Sequence, residues 1–180
     1  MGNLLEANSC CGPEEARPGH FHEVARRGDC KELRLLLDQR AAVHSWNING
    51  ETAVHSAAQS GHSAAIQLLL VYRSHVDVRD VGGERPSHQA AAAGHLSALR
   101  LLLDSSASMT AVDVEGETPI HKAAEGGHVE VLQTLLKHRA DVHAEGIHGQ
   151  TPVSIAFQYG MNDVIDFLLQ SRGLETRMSI

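Results

Sequence analysis

Thirteen histidines and three cysteines in 180 residues invite a chemical reading, since imidazole and thiolate are common metal ligands and partners in nucleophilic catalysis. Their spacing points elsewhere. His22, His55, His88 and His121 stand 33 residues apart, and His62, His95 and His128 keep the same step. Residues one period apart fall on successive packed helices roughly 10 Å apart, too far for one zinc ion with ligands at about 2 Å. No His-Glu-x-x-His and no paired Cys-x-x-Cys occurs. Cys30 lies in a helical pattern with apolar Leu33, Leu35, Leu36 and Leu37 at i+3 and i+5 to i+7, which reads as a buried structural thiol rather than a nucleophile. The chain has no Gly-x-x-x-x-Gly-Lys-[Ser/Thr] phosphate loop and no Gly-x-Ser-x-Gly elbow. Neither an enzyme, a metal nor a cofactor is expected.

The elements that position these residues share the period. Gly28, Gly61, Gly94, Gly127 and Gly160 form one ladder, and Gly50, Gly83, Gly116 and Gly149 another. Independent ladders with one step mean a tandem array of one supersecondary unit. Hydrophobic residues make up 42% and charged residues 21%, the composition of a folded chain and not of a disordered one. Aromatics reach only 3%, so Leu, Ala, Val and Ile must build the core, which suits closely stacked helices. The formal net charge of −7 argues against a general grip on nucleic acid, which needs an excess of Lys and Arg. Three cysteines do not make a disulfide framework, and no apolar run approaches the roughly 18 residues of a membrane span. The cytoplasm is the expected setting, with the nucleus as an extension of it.

One period shows how the unit folds. Thr118 before Pro119 starts a helix: the threonine oxygen accepts orphan N–H groups, and proline at the first helical position gives up a donor that was free anyway. Ile120, Ala123 and Ala124 supply its buried side, and Gly127 ends it in a left-handed conformation. Val129, Val131, Leu132, Leu135 and Leu136 make a second helix. Val142 and the stretch to Gly149 then form an extended loop. Such a unit is too small to fold alone and must bury its apolar face on a neighbour.

The segment Thr118-Pro119-Ile120-His121, Ala123-Ala124, Gly127-His128, Leu135-Leu136 and Ala140-Asp141-Val142 resembles the ankyrin repeat. Matching stretches are Thr52-Ala53-Val54-His55, Arg85-Pro86-Ser87-His88 and Thr151-Pro152-Val153-Ser154. The resemblance covers about residues 18 to 173 and implies an all-α ankyrin-repeat solenoid: paired antiparallel helices with β-hairpin-like finger loops, in about five units. It also implies that the ladder histidines hydrogen-bond neighbouring loops and caps, and that the fingers and first helices line a concave protein-binding face.

The expected organisation is a leader (1–17), a capping unit (18–46), repeats 47–79, 80–112 and 113–145, a terminal unit (146–174) and a short tail (175–180). Arg26, Arg27, Lys31 and Arg34 give the first unit the polar character of an end cap. In the last unit Ser154 replaces the ladder histidine and Phe157 stands where Ala58, Ala91 and Ala124 stand earlier, so the array is expected to end there. Arg85 in place of a capping threonine forgoes about 1 kcal/mol. After the second helix the family's usual glycine is replaced by Arg40, Arg73, Ser106 and Arg139, each costing on the order of 1 kcal/mol if left-handed.

Candidate binding residues follow from the loops. Ile48, Val81, Val114 and Ile147 recur at the period, just before the turn glycines. They read equally as an exposed apolar stripe and as strand formers packing finger on finger. Two positions earlier, Trp46, Arg79, Val112 and Glu145 vary as partner-reading positions do. Trp46 is an interface anchor or packs on the capping unit. The first helices would add Ser56, Gln59, Gln89, Lys122, Glu125, Gln158 and Tyr159. The expected partner is another protein, bound by a monomer.

The ends carry two further readings. Met1-Gly2-Asn3 begins like an N-myristoylation site, with Cys10 and Cys11 as palmitate acceptors, although Glu6 stands where Ser or Thr is wanted. Membrane contact is expected only through that acylation. Met178-Ser179-Ile180 has the apolar-x-apolar form that some PDZ domains take by strand addition.

Overall fold

The computed structural model describes residues 19–39 and 43–178. The chain folds as an all-α repeat solenoid of helix pairs: α1 (His20–Arg27) with α2 (Cys30–Asp38), α3 (Ala53–Gln59) with α4 (Ser63–Val71), α5 (Pro86–Ala92) with α6 (Leu96–Asp104), α7 (Pro119–Glu125) with α8 (Val129–Lys137), and α9 (Pro152–Tyr159) with α10 (Asn162–Met178). The odd-numbered helices pack in one row, each against the next, and the even-numbered helices form a second row behind them.

Side-chain size separates the rows. The inner helices carry Ala57-Ala58, Ala90-Ala91 and Ala123-Ala124, all fully buried, so neighbouring backbones approach closely. The outer helices fill the space behind with Leu33, Leu69, Leu102 and Leu135, also fully buried. Cys30 packs against this core but is only half-buried, not enclosed as the sequence suggests, because it sits in the first turn of α2 at the edge of the array, and it is a free thiol.

Each inner helix ends at a glycine with φ between 70° and 78° (Gly28, Gly61, Gly94, Gly127 and Gly160). At Gly94 a side chain would also collide with the next unit, because an added Cβ would lie 2.5 Å from the His128 ring. That ring bonds through Nε2 to the Ala92 carbonyl at 3.0 Å, and His95 does the same to Gln59 at 3.1 Å. The period-33 glycines and histidines are therefore two halves of one joint between units.

The outer helices end in left-handed residues that are not glycine: Arg73 (φ 64°), Ser106 (φ 71°) and Arg139 (φ 67°). Arg40 lies outside the described residues. The strained residue allows a paired closure, with Ala140 N–H donating to Leu135 O at 3.0 Å and Arg139 N–H to Leu136 O at 2.9 Å. Ala140 is then buried behind the turn, which offsets part of the backbone cost.

Phe157 is exposed on α9, the last inner helix, and α10 runs to Met178. Gly2, Cys10, Cys11 and the Ser179-Ile180 end lie outside the described residues.

Candidate protein-binding face

Three fully buried histidines build the joint beneath the fingers. His55 Nδ1 accepts the Thr52 N–H at 3.0 Å and lies 2.9 Å from Thr52 Oγ1, while Nε2 faces the Glu84 carbonyl at 3.3 Å. His121 repeats this with Thr118 N–H at 3.1 Å and with the carbonyls of Gln150 and Ala144 at 3.1 and 3.0 Å. His88 accepts from Arg85 N–H at 3.2 Å and donates to Glu117 O at 3.1 Å. A nitrogen that accepts from a backbone N–H cannot carry its own proton, so these are neutral imidazoles protonated on Nε2. Burial pushes all three below the ordinary histidine value, His88 to about 4, against the opposing pull of the carbonyls. Histidine thus does the work of the Glu or Gln in a capping box and reaches into the next finger as well. Arginine has no acceptor, so at Arg85 only the histidine half of the cap forms, and the guanidinium pairs with Asp77 instead.

The fingers close on side-chain turns. Asn47 Oδ1 accepts from Asn49 N–H and Glu51 N–H, and Asp113 Oδ1 accepts from Glu115 N–H and Glu117 N–H, all between 2.9 and 3.0 Å. Each finger then bonds to the one before it: Val81 N–H to Asn49 O (2.9 Å), Val114 N–H to Gly82 O (3.0 Å) and Ile147 N–H to Glu115 O (2.8 Å). Backbone bonds therefore hold the fingers in register while their aliphatic side chains face solvent. Ile48 is 99% exposed and Val81 75%, with Val114 and Ile147 also exposed. Trp46 pairs with Thr52 in an isolated antiparallel bridge and is 72% exposed, so most of the indole lies off the capping unit. Arg79 and Val112 are exposed at the matching positions, and Gln59 is exposed on the inner-helix side. Glu125 is half-buried and Tyr159 is exposed, and the Glu125 carboxylate pushes the tyrosine hydroxyl up in pKa.

Lys122 has a different setting from these. Its Nζ lies 2.9 Å from Asp113, 2.9 Å from Glu117 and 3.3 Å from Glu84, and its side chain is 13% exposed. Burial disfavours the charged amine, but the bonds it donates to Asp113 and Glu117 outweigh that and raise the lysine pKa. The same bond lowers Asp113 against its own burial, whereas Glu84 is raised because burial exceeds the pull of Lys122. Lys122 is thus already engaged within the chain, clamping two successive fingers. Sequence reading named the lysine and missed its carboxylates. The signal was present, because Glu51, Glu84 and Glu117 stand one period apart, immediately before the helix-starting residue.

One repeat earlier lies a groove of about 600 Å³ between the first two fingers, rimmed by Ile48 and Val81 and floored by Glu51, Asp80, Glu84 and Gln89. Among the described residues no group of His, Cys, Asp and Glu is arranged to hold a metal ion, and no helix is long and apolar enough to cross a membrane. The geometry offers an apolar stripe over an acidic, hydrogen-bonding floor, suited to recognising a polypeptide.

A family model described as ankyrin repeats (3 copies) matches the chain twice, over residues 21–113 and 88–178. No curated protein matches it.

Proposed function

The chain belongs to the ankyrin-repeat family, whose arrays bind other proteins and are typically non-catalytic, and we propose that this one is a non-catalytic adaptor, scaffold or inhibitor. It captures another protein as a monomer, in the cytoplasm or nucleus, through the finger and inner-helix face. The observation that carries this reading is the row Ile48, Val81, Val114 and Ile147. These are exposed aliphatic side chains on fingers whose backbones are bonded in register. A surface already ordered before binding avoids much of the entropy cost of association. The test places a photoreactive residue at Trp46 and identifies the crosslinked partner by mass spectrometry, then measures capture by the W46A/V81A variant. Loss of capture with unchanged circular dichroism is expected; unaltered capture refutes the face.

A second reading rests on Met1-Gly2-Asn3 and Cys10-Cys11: the same face working at a membrane as a lipid-tethered regulator. Intact mass of the protein from eukaryotic cells tests it, and an unmodified Gly2 ends it.

A further inference from the structure

The array contains its own precedent for what fills its acidic floor. Positions 89 and 122 are equivalent, one period apart, as are 51, 84 and 117, and 80 and 113. In the later repeat an ammonium group sits among carboxylates of its own finger and the one before it. In the earlier repeat the residue is Gln89, whose Nε2 donates to Glu51 at 3.1 Å and to Asp80 at a long 3.4 Å. Gln89 brings no charge, and among the described residues neither Glu51 nor Asp80 makes an ion pair. A second observation is independent of the carboxylates. Gln89 is 7% exposed, lines the groove, and its Oε1 is buried without a hydrogen-bond partner. A buried acceptor without a donor is costly unless something supplies one.

We propose that the groove between the first and second fingers receives a lysine side chain of the partner polypeptide, its ammonium taking the place of the Gln89 amide nitrogen against Glu51 and Asp80 while the amide turns to present its buried oxygen. The three donors of an ammonium match those three acceptors. Ile48 and Val81 at the rim cover the aliphatic stem, as apolar surface commonly does for lysine. Opposite charge also favours encounter, since the chain carries a formal net charge of −7. The inference rests on the protein-binding reading and specifies which side chain the face selects.

The test is NMR titration of the ¹⁵N-labelled full chain with acetyl-Gly-Gly-Lys-Gly-Gly-amide, its norleucine counterpart and calcium chloride. The lysine peptide is expected to give saturable shifts at the Gln89 side-chain amide and the Val81 and Gly82 backbone amides. Norleucine should bind at least about tenfold more weakly, because it keeps the stem and loses the charge. Two variants borrow solutions from the chain itself. Q89K copies Lys122, and E51Q/D80N copies Gln150 and Asn47. Either should abolish the response, and Q89K should raise the midpoint of thermal unfolding. Equal response to norleucine, a response to calcium alone, or an unchanged response in both variants overturns the proposal. If the lysine peptide fails while crosslinking at Val81 still captures a partner, this inference falls alone. If no concave position captures a partner, the reading beneath it falls too.

Discussion

Lowering the pH from about 7.5 to about 5 should destabilise this protein through its buried histidines, with His88 the largest resolved contributor. In the unfolded chain His88 takes up a proton near its ordinary 6.5, whereas burial holds the folded imidazole near 4. Below the unfolded value the unfolded state therefore binds more protons, so stability falls as pH drops and stops falling only below the folded value. At about pH 5 the protonation free energies differ by roughly 1.5 pH units, or about 2 kcal/mol, at 1.36 kcal/mol per unit. His55 and His121 are shifted in the same direction and add to the loss. Protonation would also place a hydrogen on Nδ1, where the Arg85 N–H already points. Urea unfolding followed at 222 nm, at several pH values, measures the slope. The H88Q variant should lose about 2 kcal/mol less on acidification than the wild type. Should H88Q fail to fold, the ring proton of His88 in the native protein gives the same answer, with a titration midpoint near 4. A midpoint near 6.5 in the folded state, or stability level between about pH 7.5 and 5, would refute the reasoning.

Lys122→Met should cost about 3 kcal/mol in urea unfolding, because it leaves Asp113 and Glu117 mostly buried with their shared cation gone. Gly83→Ala should destabilise more than Gly149→Ala. Both glycines are left-handed, but only at Gly83 would a Cβ press on the next finger, 3.0 Å from Val114 N, whereas nothing lies within 4 Å at Gly149. Equal losses in calorimetry would mean that the fingers do not bear on one another. Arg139→Gly should raise stability by about 0.5–1 kcal/mol, since the residue is exposed at φ 67° and glycine removes the strain without removing packing. A fall in the unfolding midpoint would mean that the arginine side chain supports the helix end.

The array was legible in the sequence because a repeat repeats its physical problem. Each inner helix must stop at the same place and meet the same neighbour. The glycine ladder therefore marks the helix ends in the sequence, and the resemblance adds the histidine bonds to neighbouring loops and caps. The left-handed positions were legible for a related reason: the turn after each outer helix closes the same way whether or not glycine occupies it, as Arg73, Ser106 and Arg139 show. What periodicity could not show is how residues of different repeats meet. In the sequence Lys122 reads as a candidate binding residue presented by the first helix of its repeat. Only the stacking of fingers brings Glu84 from the preceding unit to 3.3 Å from its ammonium.

Nor could the period distinguish an exposed Val81 from one packed between fingers. Strand propensity is the same in both settings, and the decision lies in where the inter-finger bonds fall. Val81 spends its N–H on Asn49 and leaves its side chain to solvent. The most informative positions are thus those where the period is kept in place and broken in chemistry. Lysine at 122 closes two fingers upon themselves, while glutamine at 89 leaves two carboxylates without a cation. A solenoid with every such position filled from within would be stiffer, with less of its acidic floor available to a ligand. Specific recognition by an otherwise uniform scaffold is therefore expected at the repeat that lacks its own counter-charge.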